Sequence, residues 1–238
     1  MVISLYLLFQ RFSMRLLILL FLLHSSAYAQ KKAPSCEAVD GLKINYFDEV
    51  PEAYSGPIKV CYQTGELSAY ITLKDGLSDG ASKQWHKNGR LRLIENYKEG
   101  IIVGTTKSWY ESGAKESQYS FSNGQANGLS RYWYENGNIR KEVLFKDDLM
   151  DGDLIYYFEN GQVEYTVKMI KGVENGNAQT FYEDGSLKID INYLNGVPFG
   201  TSKEYYKSGA VNVEIDYLDG LTSSVRCYLE DGSQIPCD

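Results

Sequence analysis

Histidine is almost missing from this chain, which has two in 238 residues, His24 and His86. That scarcity argues against histidine-built metal centres and against hydrolases that need an imidazole base. Cysteine is sparse too: Cys36, Cys61, Cys227 and Cys237 have neither zinc-ligand spacing nor histidine partners. No P-loop, GxSxG, HExxH or calcium-loop signature occurs. Carboxylates are spread over turns and polar positions, so a glycosidase pair would need an accident of stacking, and the EDG and DG runs read as turn chemistry. Positive charge is the minority, with 24 basic against 31 acidic residues and a formal net charge of −7. This balance excludes nucleic acid as a partner and disfavours general adhesion to anionic lipid. The chain is therefore expected not to be an enzyme and to use no cofactor or metal.

Long apolar runs are also missing. The longest, 16–23, follows Arg11 and Arg15 and precedes a small-residue site, Ala27-Tyr28-Ala29. It is too short to span a bilayer stably, and the pattern predicts a secretory signal peptide over 1–29, with no stable membrane insertion. Gln30 follows the site, so the cysteine a lipid anchor would need is not there. Without Arg11 and Arg15 the 24 basic residues become 22, against 31 acidic, which makes the exported form more acidic still. The expected destination is the periplasm or the outside.

What the chain has in abundance is glycine at fixed intervals. Glycines at 56, 80, 104, 128, 152, 176 and 200 stand 24 residues apart, and a second set at 65, 89, 113, 137, 161, 185 and 209 follows each by nine. A third closes most repeats, at 76, 100, 124, 172, 196 and 220, with Asp148 the departure. A fixed period of this kind predicts a stacked repeat array. The boundaries follow: 1–29 signal peptide, 30–55 N-terminal cap, 56–223 seven repeats, and 224–238 a truncated terminal repeat with a C-terminal cap. Within the N-terminal cap, 41–47 alternates as a strand does.

Numbering each repeat from its first glycine as position 0, the second half alternates. Position 11 holds Leu67, Leu91, Ile139, Val163, Leu187 and Val211, with Lys115 the exception. Position 15 holds Ile71, Tyr119, Val143, Val167, Ile191 and Ile215, with Glu95 the exception, and position 17 is aromatic or aliphatic throughout. Period two with β-branched and aromatic residues predicts a strand buried on one face. The first half of the repeat is a second strand, joined through ENG, EDG, KSG and similar turns into a hairpin. Thr64, Ser112 and Ser208 occupy the middle of that turn, and a β-branched threonine disfavours positive φ, so a three-residue loop with only the glycine there is expected. The aromatics at position 5, Trp85, Trp109, Trp133, Tyr157, Phe181 and Tyr205, then oppose position 11 and are expected in the core. Their neighbours at position 6 should face out. The same phase puts Lys59, Lys83, Lys107, Arg131 and Lys203 of position 3 on the inner face, a conflict that long side chains relieve only by reaching past the sheet margin.

The predicted fold is all-β: an elongated, twisted antiparallel sheet of stacked 24-residue hairpins. At about 4.8 Å per strand, seven repeats span roughly 65 Å. With its NG-type turns, YWYENG-like strands and closing aromatic-x-x-Gly, the stretch from Gly56 onward resembles the bacterial MORN-variant repeat proteins. Some proteins of this type are labelled antitoxins, a role inside the cell that fits poorly with a signal peptide. The resemblance implies scaffolding and, through the eukaryotic repeats, contact with phospholipid.

His86 takes a position 6 that is tyrosine in most repeats and reads as an aromatic substitute rather than a base. Tyr110, Tyr134, Tyr182 and Tyr206 would form a row with about 10 Å spacing, able to stack on glycan rings or hold an extended peptide. The expected function is a non-catalytic exported scaffold that binds another protein or an envelope component. The alternative is a glycan or lipid-headgroup module that uses this row. The four cysteines lie only at the two ends of the array, so its length separates the N-terminal from the C-terminal pair. A disulfide spans Cα separations of only about 4.4 to 6.8 Å, which predicts Cys36 with Cys61 and Cys227 with Cys237.

Overall fold

The computed structural model describes residues 33–44, 51 and 53–237. The expected signal peptide lies outside these residues, as does the 45–47 end of the alternating stretch. The chain divides into two compact units, 1–100 with 108–114, and 101–107 with 115–238.

Each repeat is a hairpin closed by one kind of turn and joined to the next by another. In the repeat that starts at Gly128, the strands Gly128–Trp133 and Ile139–Lys146 flank a three-residue loop. Tyr134 donates its N–H to the Asn138 carbonyl at 2.9 Å, and Gly137 donates to Tyr134 at 3.0 Å. Gly137 has φ 91°, while Asn136 is not among the residues of positive φ, so the expected loop is the one formed. The second turn has both central residues at positive φ, as in Lys171 (51°) and Gly172 (82°), which is the type I′ geometry suited to twisted hairpins. Within a unit, antiparallel pairing through this turn links a hairpin to its successor, for instance Leu149–Tyr157 to Ile139–Lys146. Successive hairpins of a unit thus pair edge to edge, and a lone hairpin's marginal stability becomes that of a larger sheet.

The third glycine has a packing reason. In Gly124, Gly172 and Gly196 an added Cβ would lie 3.1, 3.7 and 3.0 Å from the apolar side chain of Ile101, Leu149 and Val173, which belong to the preceding turn. Asp148 breaks the glycine series where the preceding residue at that position is Gln125. There the aspartate accepts the Ala126 N–H at 2.7 Å, a side-chain bond in place of an apolar contact.

A bulge corrects the expected core stripe. Trp133 pairs with Ile139, but Tyr132 pairs with Lys141, leaving one residue unmatched; beyond it Ser130 faces Val143 and Gly128 faces Phe145. An extra residue reverses alternation, so position 11 points to one face and positions 15 and 17 to the other. One face carries positions 2, 4, 13, 15 and 17 and is called here the serine face, after Ser82, Ser130 and Ser202 of position 2. The other carries positions 3, 5, 11 and 14 and is called the tryptophan face.

The two units differ in how much of the tryptophan face they bury. In the second unit the core is on the serine face: Val143, Leu154, Val167, Met169 and Ala178 are buried, with Tyr132, Phe145, Tyr156, Tyr165 and Ile191 packed on them. In the first, Ile58, Val60 and Leu73 are buried on the serine face, and a further cluster of Ala33, Cys36, Leu67, Trp85 and Leu91 is buried on the tryptophan face. The expectation of a tryptophan core therefore holds for Trp85, 8% exposed, is met in part by the half-buried Trp109 packed against the same cluster, and fails for Trp133, Tyr157, Phe181 and Tyr205, which are half-buried.

Both ends carry a disulfide. Cys36 is joined to Cys61 and Cys227 to Cys237, with Cα separations of 6.0 and 5.4 Å. Strand Leu42–Ile44 runs parallel beside Gly56–Cys61, so the pairing is not antiparallel throughout. Strand Gln234–Ile235 adds to the last long strand, Leu221–Tyr228.

Candidate functional site

The tyrosines of position 6 leave the strand just before the loop, and their hydroxyls reach the next repeat. Tyr134 donates to the Tyr157 carbonyl at 2.7 Å, Tyr182 to Tyr205 at 2.7 Å and Tyr206 to Tyr228 at 2.8 Å. Tyr62 does the same to Trp85 at 2.6 Å. His86 stands in the series with Nε2 at 2.7 Å from the Trp109 carbonyl, so Nε2 carries the proton and the ring serves as the expected substitute. All of these side chains, and that of Tyr110, are half-buried. At the loop tips Asn88, Asn136 and Asn160 donate to the Glu111, Glu159 and Glu183 carbonyls of the following repeat. The row expected to bind is thus a set of struts between repeats. A ligand there would find ring faces but hydroxyls already engaged, and on Tyr182 the ammonium groups of Lys188 and Lys207 lie 5.5 and 5.9 Å from the ring centroid.

On the tryptophan face of the first unit lies a segment of the chain itself. Ala33 donates its N–H to the Gly89 carbonyl at 2.5 Å and Cys36 to the Gly65 carbonyl at 2.8 Å, while Leu67 donates to Pro34 at 3.1 Å. Ser35 forms an antiparallel bridge with Glu66. Lys59, of position 3, donates to the carbonyls of Cys36 at 2.7 Å and Val39 at 2.6 Å, which resolves the conflict of a buried lysine row at this repeat. Ala33 and Cys36 are 6% and 1% exposed, and they fill the space between Leu67 and Trp85.

In the second unit no described segment covers this face, and what stands on it differs from rung to rung. Where position 11 is Lys115, its ammonium lies 3.8 Å from the centroid of Trp133. Burial first, then the charges of Lys107 and Arg131, lower the Lys115 pKa. At the next rung Arg131 pairs with Glu142 at 2.6 Å, and Tyr157 donates to the same carboxylate at 3.0 Å. The bond from Arg131 holds the Glu142 carboxyl below its ordinary range, while burial and then Glu142 push the Tyr157 hydroxyl up to about 12. Near the C-terminal end Glu214 receives Lys203 at 3.1 Å, Arg226 at 3.1 Å and Tyr228 at 3.1 Å. Arg226 also meets Asp216 at 2.5 Å, and that bond keeps the Asp216 carboxyl far below the usual carboxylate range.

Among the described residues, open hollows lie on the face. One, of about 500 Å³, is lined by Ile155, Gly161, Gln162, Val163, Thr166, Phe181 and Gly185. Another, of about 420 Å³, is lined by Val211, Glu214, Tyr228, Glu230 and Asp231 among others. Among the described residues no group of three or more histidine, cysteine or acidic side chains could hold a metal ion.

Sequence reasoning missed these hollows, although it carried a signal. Position 3 is basic in five repeats but is Ile155 and Gln179 in the other two. The rung of Ile155 with Thr166 holds no charge at all.

Comparison with known proteins finds no curated protein that matches the chain. Residues 78–99, 126–147, 150–170 and 174–195 each match the family described as MORN repeat variant. These segments run from one type I′ turn to the next, the frame in which the hairpins stack, and each of the four is similar to a variant MORN repeat.

Proposed function

We propose that this protein is a non-catalytic exported scaffold that binds another protein or a component of the cell envelope, through the tryptophan face of its second unit. The observation that carries this reading is the contrast within the chain: the face is filled by residues 33–39 in the first unit, and in the second it offers hollows walled by half-buried aromatic and aliphatic side chains. Concave apolar surface with a few polar groups at its rim is the usual form of a binding site. Export is supported by the two terminal disulfides, which persist in oxidising compartments, together with the signal-peptide pattern of 1–29.

Two measurements test it. The full-length chain expressed in a bacterial host should be recovered outside the cytoplasm, starting near residue 30, with both bridges intact. The exported protein, immobilised, should then enrich a partner from envelope extracts over a control carrying Val163→Lys and Val211→Lys. Recovery from the cytoplasm sinks the export claim. Enrichment unchanged by the control moves binding off this face. Saturable binding to purified peptidoglycan with no protein enriched would favour a glycan module in its place.

A further inference from the structure

The hollow around Val163 is the repeat-equivalent of the place where residues 33–39 bind. A shift of four repeats, 96 residues, carries Gly161 and Gly185 onto Gly65 and Gly89, whose carbonyls accept the Cys36 and Ala33 N–H groups. It carries Val163 and Phe181 onto Leu67 and Trp85, between which Ala33 and Cys36 are buried. Gln162 falls on Glu66, the bridge partner of Ser35, and Ile155 on Lys59. Every lining group named here thus has a counterpart that holds the N-terminal segment. Gly89 is buried under that segment, whereas its counterpart Gly185 is exposed, and among the described residues no backbone donor meets the carbonyls of Gly161 and Gly185.

From this we propose that the hollow at 155–185 binds an extended peptide of a partner protein, with small apolar side chains three residues apart, as Ala33 and Cys36 are. The inference rests on the scaffold reading and names the partner's chemistry. Two N–H groups of the peptide donate to the carbonyls of Gly161 and Gly185, which is strand addition at the loop edge of the repeats. The side chains three apart enter between Val163 and Phe181. A small residue is required because the space filled in the first unit is that of an alanine and a cysteine. The counterpart of Cys61 is Tyr157, whose hydroxyl is drawn to Glu142, so the bound peptide is held without a covalent bond.

The rungs on either side explain why the choice falls here. Lys115 already covers Trp133, and the hollow near the C-terminus presents Glu214, Glu230 and Asp231, unmatched to an apolar peptide. At 155–185 the position-3 residue is isoleucine, so affinity comes from apolar contact and backbone bonds, and the two bonds that Lys59 gives to peptide carbonyls are missing.

That difference supplies a gain-of-function test. The probe is an end-blocked fluorescent peptide of residues 33–39 carrying Cys36→Ala, titrated by anisotropy against the full chain with its disulfides intact. Ile155→Lys restores the basic residue of position 3, which five repeats already tolerate. It should tighten binding about tenfold by adding charge-assisted bonds to the peptide carbonyls. Val163→Lys copies Lys115 and should weaken binding at least tenfold by laying an ammonium over Phe181. Circular dichroism and melting of both variants establish that they fold. Absence of saturable binding by the wild type and by Ile155→Lys, or equal affinity of all three proteins, overturns the proposal. A partner enriched from extracts that is indifferent to Val163→Lys overturns it as well, while leaving the scaffold reading in place.

Discussion

The same repeat positions do opposite work in the two compact units. In the first, Leu67, Trp85 and Leu91 lie beneath residues 33–39 and are 1, 8 and 5% exposed. In the second, their counterparts Val163, Phe181 and Leu187 are half-buried, and the buried cluster sits on the reverse face. A 24-residue period fixes backbone and pairing but not which face is covered. Coverage depends on what else the chain supplies, and in the first unit residues 33–39 supply it. In a repeat protein, one occupied copy of a site describes the ligand for the unoccupied copies.

The largest effects should come from truncating what each unit buries. Trp85→Ala is expected to cost about 3–5 kcal/mol and Leu154→Ala about 2–5 kcal/mol, by loss of transfer energy and the cavity left behind. Phe181→Ala, on the open face, should cost clearly less than either. Chemical denaturation followed by hydrogen exchange, which reports on each unit separately, checks the order. An equal loss at Phe181 and Trp85 would erase the distinction between the units.

Selective reduction of Cys36–Cys61 comes next. The closed loop has a sequence separation of 25, for which chain entropy suggests up to about 3 kcal/mol. Freed from that bond, residues 33–39 should release in part and expose Trp85, which a red shift of tryptophan emission would report. An unshifted spectrum after reduction would mean that backbone bonds alone hold the segment.

The fold was largely legible in the sequence, and the candidate site was not. Glycine spacing fixed the period, and Thr64, Ser112 and Ser208 selected the three-residue loop. The bulge opposite Trp133 was hidden because pairing position 5 with position 11 leaves open where the register shifts afterward. Without the bulge, positions 11, 15 and 17 look like one stripe and the serine face goes unnoticed. Small side chains at position 2, such as Ser130 and Ala178, carry no hydrophobic signal although both are fully buried. The hydroxyls of position 6 were unreadable because their acceptors lie about one repeat away and belong to the backbone. The hollow depends on a departure from the consensus, Ile155, which an eye trained on regularity passes over.

Smaller effects sharpen the picture of each face. Tyr182→Phe keeps the ring and removes the bond to Tyr205, so it should cost about 0.5–1.5 kcal/mol, measured as a lower denaturation midpoint. A neutral result would recast the row as free to bind. On the tryptophan face burial, and then Glu142, push the Tyr157 hydroxyl up from its ordinary value of 10.0 to about 12. A raised folded value means that stability is whole below pH 10 and is lost as pH rises toward 12. Tyr157→Phe should flatten this alkaline limb of the melting profile, and an unchanged limb would place the titration elsewhere. Smallest of all is Ser130→Ala. The Ser130 hydroxyl is buried and, among the described residues, has no hydrogen-bond partner, and Ala178 occupies the same position two repeats on. Removing it should shift stability by no more than about 0.5 kcal/mol, in the stabilising direction. A clear loss would reveal a partner for that hydroxyl.

The most direct test of the contrast between the units is hydroxyl-radical footprinting of the native, oxidised protein, with each rate normalised to the unfolded chain. Leu67, Trp85 and Leu91 should be strongly protected, and Val163, Phe181 and Leu187 should be labelled several-fold faster. Equal protection at the paired positions would contradict the account, because the face would then be closed in both units and no copy of the site would be left open for a partner.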